Sequence, residues 1–406
     1  MRILLSAFAF APGVGSEAGG AWRWAAELSR QHQVVVVTDI SRRERCEPVL
    51  AQSQHPQLTV HYYRPRFLCG VRLNSWTAQL LFGCWQLGLL AFARRLHRQE
   101  PFDLVHHLTY GTFRQASWLG FVGPPFVFGP VGGGEDAPWR LKASYPIGEK
   151  IRDAARMALN WLAPRNPLWR LAINRATLVI ARTPETRACL PPGIQTRTFV
   201  AQETGAPASE IELAPAMRAG ARVELLFAGR LLGLKGVQFA IGATAKLHER
   251  GRSVRLTVIG SGPMAQPLRR QAERLRILGN VRFVPHLPQQ ELFAQYCKAH
   301  VFVFPSLRDA GGNVVQEALA AGLPVVCLDL GGPPSFVDPR CGEVVAARDA
   351  ADEAELSQRI ADAIDRVTAS PETWLSFHRG ALARASELTW ERQISRIQAR
   401  IQEALL

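Results

Sequence analysis

The stretch Pro305-Ser-Leu-Arg-Asp-Ala-Gly-Gly-Asn-Val-Val-Gln-Glu-Ala-Leu-Ala-Ala-Gly-Leu-Pro324 decides how the chain reads. Residues 299–304 (AHVFVF), just before it, alternate and branch as a strand does. After Asn313, the apolar residues Val314, Val315, Ala318, Leu319 and Ala321 recur at helical spacing. Gly322 ends that helix, and residues 325–328 read as the next buried strand. The loop 308–313 therefore lies between the C-terminal end of a strand and the N-terminus of a helix, where parallel α/β sheets bind ligands. Gly311 and Gly312 let the backbone come close to a ligand. The amides from Gly311 to Val314, with the helix dipole behind them, favour phosphate. Glu317 falls about one turn into the helix on the loop side, where an acid accepts hydrogen bonds from a ribose diol. The plainer alternative is a structural strand–turn–helix with Asp309 or Asn313 as its cap.

Moving upstream, residues 223–229 (VELLFAG) form an apolar strand that ends in Gly229-Arg230, and Lys235-Gly236 leads into a helix over 237–250. Two cations at a strand's C-terminal end suit a diphosphate leaving group, whose charge rises as its bond to the transferred group breaks. The strand 254–260 runs into Gly260-Ser-Gly262-Pro263. Residues 281–284 lead to Pro285-His286-Leu287-Pro288, and downstream of the quoted stretch comes Gly331-Gly-Pro-Pro334. Helices are expected over 354–370 and from 374 to the end.

The first half repeats the strand–helix rhythm. Residues 2–8, a glycine turn over 11–20, a helix over 21–30 and the strand 34–38 make a βαβ unit. Its glycine pattern is not the dinucleotide fingerprint, and only Asp39 stands where that fingerprint wants an acid, so a dinucleotide site is a weak reading. The strand 102–108 ends in His106 and His107, which point to opposite faces. Residues 125–134 (PFVFGPVGGG) form a strand running into three glycines, followed by Glu135 and Asp136. Close backbone approach there, with acids beside it, could position a sugar hydroxyl. Residues 201–221 lack a clear period and read as an interdomain linker. The fold class is therefore α/β, with two doubly wound domains.

The spacing Asp309-x7-Glu317, with Gly229-Arg230-x4-Lys235-Gly236, resembles retaining, nucleotide-sugar-dependent glycosyltransferases of family 4. The Gly-Pro-Val-Gly-Gly-Gly-Glu loop resembles a bacterial cell-surface polysaccharide or lipopolysaccharide subgroup. The family's first acid is Asp309 here, one methylene shorter. The resemblance implies the GT-B fold: two Rossmann-like domains, 1–205 and 222–388, facing across a cleft, joined by a linker at 206–221. It also implies that a last helix, about 389–406, returns to the first domain. By resemblance, Arg230, Lys235, Asp309 and one of His106 or His107 are catalytic. Gly13, Gly15, Ser16, Gly260, Gly262, His286, Leu287, Gly311, Gly312, Asn313, Val314 and Glu317 contact the donor, and Glu17, Thr109, Gly133, Gly134 and Glu135 lie on the acceptor side. The implied reaction moves a hexose from a nucleoside diphosphate sugar to a hydroxyl with retention. No Asp-x-Asp pair occurs, so no metal and no further cofactor is expected.

At 406 residues, 47% apolar, the chain is long enough for two buried cores. Its net charge of +14 points to an anionic partner. Residues 139–175 interleave Arg and Lys with Trp139, Tyr145, Trp161 and Trp169, the composition that binds anionic lipid headgroups. No nucleic-acid-binding motif accompanies it, so nucleic acid is not expected as a partner. The seven cysteines form no metal-spaced cluster and suit a reducing cytoplasm. No signal peptide opens the sequence. The uncharged run 75–93 has the length of a membrane span but carries Thr77, Gln79, Gln86 and two glycines. It reads as a core helix, or as one lying on a membrane surface. The expectation is a cytoplasmic protein at the inner face of the membrane, acting on a membrane-associated saccharide or lipid. Two other classes remain: a non-catalytic sugar- or nucleotide-binding partner of the same fold, and a basic surface protein for anionic lipid or nucleic acid.

Overall fold

The computed structural model describes residues 1–13, 16–52, 55–68, 70–71, 78–207 and 216–405. Gly15, the start of the uncharged run at 75–77 and the middle of the linker stretch lie outside them. The chain divides into two compact units. The first holds residues 1–134, 156–204 and 390–406; the second holds 135–155 and 205–389.

In the first unit, β1 (Arg2–Ala7), β2 (Gln33–Asp39), β3 (Leu58–Tyr63), β4 (Leu104–Thr109), β5 (Phe126–Val131), β6 (Leu178–Ala181) and β7 (Thr198–Val200) form one parallel sheet. Their order is β3-β2-β1-β4-β5-β6-β7, with register pairs such as Leu5 with Val36 and Leu5 with His106. The centre strands are apolar at nearly every position because both faces are covered. One face packs on the helix Ala78–Gln99 through Phe82, Trp85, Leu89 and Ala93, at most 1% exposed. That helical spacing makes this face of the uncharged run core. No helix among the described residues is long and apolar enough to cross a membrane. The other sheet face packs on the helices Ser16–Leu28 and Trp390–Leu405, the latter contributing Ile394, Ile397 and Ile401.

In the second unit, β8 (Val223–Ala228), β9 (Val254–Ile259), β10 (Val281–Val284), β11 (Val301–Phe304), β12 (Val325–Leu328) and β13 (Gly342–Val345) form a parallel sheet of order β10-β9-β8-β11-β12-β13. The order reverses between β8 and β11, so the loops after these strands flank a switch point. Residues 135–155 join this unit's core through Ala137, Leu141 and Tyr145.

Candidate functional site

Two glycines in the second unit explain how its loops come together. Gly236 has φ 72°, and a Cβ there would overlap the carbonyl of Pro305. Gly260 has φ 144°, and a Cβ there would overlap the carbonyl of Gly229. Only glycine combines a positive φ with so close a backbone approach. The loops after β8, β9 and β11 are thereby laced together. Leu231 N–H donates to Ser261 O at 3.0 Å, and Leu307 N–H donates to Leu234 O at 2.9 Å. Gly262 lies against the Leu231 backbone in the same arrangement.

This lacing places the cations. Arg230 is exposed, and no hydrogen bond or ion pair joins its side chain to a described residue. Lys235 Nζ donates to Asp309 Oδ2 at 2.5 Å, with both side chains about one-fifth exposed. Asp309 Oδ1 accepts from Gly311 N–H at 3.2 Å, and its carbonyl accepts from Gly332 N–H at 2.7 Å. The helix Asn313–Ala320 starts directly after Gly312, so its first-turn amides open toward this loop. Glu317 Oε2 accepts from the Tyr296 hydroxyl at 2.9 Å and Oε1 from Gln289 Nε2 at 3.5 Å. Burial, followed by the adjacent Glu317, pushes the Tyr296 phenol well above its ordinary range, so Tyr296 stays a donor. His286 is exposed, its N–H 3.3 Å from Ser261 Oγ, and Leu287 packs against the core.

A second charged cluster braces the same loops. Glu149 Oε2 accepts from Gly233 N–H at 2.9 Å. Arg308 pairs with Asp153, and Lys142 Nζ lies 2.7 Å from both Asp153 Oδ2 and Asp136 Oδ1. The Lys142 and Asp153 side chains are nearly sealed from water. Glu135 is also buried. The sequence reading did not single out Tyr296, Glu149, Asp153 or Arg308, and it counted Lys142 in the basic stretch 139–175 expected at a lipid surface, where the structure instead buries it. Of those not singled out, only Arg308, inside the quoted loop, carried a local sequence signal.

In the first unit, His106 and His107 are both fully enclosed. Nε2 of His106 lies 2.6 Å from Gly129 O, and Nε2 of His107 lies 3.3 Å from Tyr110 O. Burial lowers each imidazole to about 4, so both are neutral near pH 7. They do point to opposite faces: His106 stands edge-on to Trp24, and His107 stacks on Phe128. The reason is the strand LVHHLT, every residue of which is buried. Neither ring reaches solvent. Thr109 is likewise tied down, its hydroxyl donating to Ala9 O at 2.8 Å. Asp39 is buried and bound by two nitrogens of Arg64, at 2.9 and 2.5 Å, so it offers no free acid to a ribose.

Glu17, in the first turn of its helix, accepts from Gly111 N–H at 2.5 Å and lies 3.5 Å from Arg182. Arg182 also pairs with Glu203 at 2.6 Å, and burial raises the Glu203 carboxyl despite that partner. Arg182 and Glu203 were missed because each follows a short strand with no motif around it. Gly133 O accepts from Arg156 at 3.1 Å and Asn160 at 2.9 Å, and Gly134 N–H donates to Thr186 at 3.1 Å. Gly13 is exposed in a turn with φ 64°, and Ser16 begins the helix Ser16–Leu28.

Residues 216–373 match the family model described as Glycosyl transferases group 1. A D-inositol 3-phosphate glycosyltransferase from Segniliparus rotundus is 27% identical over 260 residues, 63% of this chain and 54% of that protein. The chain thus spans about half the length of this curated relative. Among solved structures, sucrose-phosphate synthase from Thermosynechococcus elongatus superposes with a TM-score of 0.64 at 18% identity, covering 100% of this chain and 99% of that one. HepE from Anabaena in complex with UDP and glucose gives 0.60 at 17% identity, with the same coverage. At such identities the structural likeness speaks for the fold alone. Residues 216–373 are thus similar to the glycosyl transferases group 1 family, and the chain's two Rossmann-like units have the GT-B fold.

Proposed function

We propose that the protein is a retaining glycosyltransferase that moves a hexose from a nucleoside diphosphate sugar to a hydroxyl of a membrane-associated saccharide or lipid, without a metal ion. The observation that carries this reading is the Lys235–Asp309 pair, which ties the loop after β8, carrying Arg230, to the loop that opens the helix Asn313–Ala320 with its Glu317. Arg230 and Lys235 would neutralise the diphosphate as it leaves, with the 311–314 amides beside it. Glu317, held by Tyr296, would take the ribose diol. The bond from the anomeric carbon to the phosphate oxygen breaks while the bond to the acceptor oxygen forms on the same face. The departing phosphate oxygen takes the acceptor proton, so no strong protein base is required. Neutral, enclosed His106 and His107 are in keeping with that economy. Asp309 would position Lys235 and the sugar, and Glu17, Gly133, Gly134 and Glu135 are assigned to the acceptor side.

A nucleotide-sugar donor is in keeping with what two similar proteins are named for: HepE was solved in complex with UDP and glucose, and the Segniliparus protein is a D-inositol 3-phosphate glycosyltransferase. A membrane-face location is supported by exposed apolar residues of the first unit. Leu159, Trp161, Leu162, Leu168 and Leu171 are between 49% and 60% exposed, beside Arg165, which stacks on Trp161 at 3.8 Å. The test is incubation of the purified protein, with EDTA, with a panel of nucleoside diphosphate sugars. Release of nucleoside diphosphate that disappears in Glu317→Ala supports the reading. No binding or turnover of any donor contradicts it.

A further inference from the structure

A second concavity in the same unit lies away from the loops just described. It has a volume of about 240 Å³ and is lined by Glu224, Leu226, Arg255, Thr257, Arg282, Gln295 and Lys298, among others. Its floor is the sheet itself. Register pairs Glu224 with Arg255, Leu226 with Thr257 and Thr257 with Arg282, so these side chains share one face. β9 is an interior strand, hydrogen-bonded to β8 and β10. An interior strand of a parallel sheet is normally apolar on both faces. Here the VRLTVI sequence alternates, and Arg255 and Thr257 are only half-buried. The helix Gln289–Tyr296 crosses above with just eight residues, and Gln295 and Lys298 close the rim.

The charges around this concavity are unbalanced. No hydrogen bond or ion pair joins the side chains of Arg255, Arg282 or Lys298 to any described residue. The one carboxylate, Glu224, is already paired with Arg222 at 2.8 Å. Three cations, a hydroxyl and a carboxamide thus surround one hollow that is large enough for more than a bare anion. Two guanidiniums offer paired N–H donors to the oxygens of a phosphate, and Lys298 adds a mobile charge.

We propose that this concavity is a binding site for a small phosphate monoester, separate from the nucleotide site. Its rim belongs to the helix that carries Gln289 and Tyr296, both partners of Glu317, so an occupant contacts the element that holds the donor-site acid.

The experiment is calorimetric titration of the full chain with inorganic phosphate, in the presence of saturating UDP so that the donor site is occupied. The site predicts saturable millimolar or tighter binding, weakened about tenfold or more in Arg255→Gln/Arg282→Gln, with UDP affinity unchanged. Lys298→Ala, at an exposed position, gives the same direction of effect should the double variant fold poorly. Equal phosphate affinity in wild type and variants, or no saturable heat, overturns the proposal. If none of UDP, GDP and ADP binds, the proposed function fails, while the phosphate titration remains decisive for this site.

Discussion

Lys235 and Asp309 stand 74 positions apart in sequence, yet the ammonium of one lies 2.5 Å from the carboxylate of the other. The pairing brings a cation from the loop after β8 to the loop after β11. In the proposed reaction it also gives the shorter acid a task, holding Lys235 where the phosphate would bind. If Lys235 neutralises the leaving group as proposed, Lys235→Ala should lower kcat/KM about 100-fold or more. Asp309→Asn should lower kcat while nucleoside diphosphate affinity stays close to wild type, since Lys235 remains. Steady-state kinetics together with calorimetry separate the two effects.

Glu317 depends on Tyr296 for its orientation. Tyr296→Phe deletes the 2.9 Å hydrogen bond to Glu317 and a longer one, 3.4 Å, to Val314 O, so nucleotide affinity should drop about threefold to tenfold. Glu317→Ala should cost far more. Equal losses in the two variants would mean that the carboxylate acts only as a partner for the tyrosine.

Asp153 is shared by Lys142 and Arg308, and its side chain is 7% exposed. Asp153→Ala leaves buried Lys142 short of a counter-charge and should destabilise the protein by about 3–5 kcal/mol. Denaturant unfolding monitored by tryptophan fluorescence reads this directly. A change near zero would show that Asp136 alone satisfies Lys142.

The two enclosed histidines make stability depend on pH. Each folded imidazole is lowered to about 4 against an ordinary value of 6.5. Between those values the unfolded chain binds more protons than the folded one, so stability is full above about 6.5 and declines as pH falls toward 4. The melting temperature should therefore drop across this window, and His107→Phe, stacked on Phe128, should flatten part of the slope. A pH-independent melting temperature between 7 and 4.5 would contradict the assignment.

The strand–helix rhythm and the loops at 229–236, 260–263 and 308–313 were legible in sequence because each depends on local chemistry: glycine at tight approaches, cations after a strand, an acid one turn into a helix. The histidines were legible only as residues on opposite faces. Their burial depends on what covers each sheet face, which is a tertiary matter. The strand VRLTVI was legible as a strand, but not that its Arg255 and Thr257 face a concavity beside a short helix. Asp153 and Glu149 carried no signal, because their partners Arg308 and Gly233 lie far along the chain.

The central claim is that Arg230 and Lys235 grip a diphosphate. Calorimetry with UDP, GDP and ADP on wild type, Arg230→Ala and Lys235→Ala tests it most directly. The account predicts that at least one nucleotide binds the wild type with EDTA present, and that each variant weakens it about tenfold or more. Undiminished binding in both variants, or binding that appears only when a divalent cation is added, would contradict it.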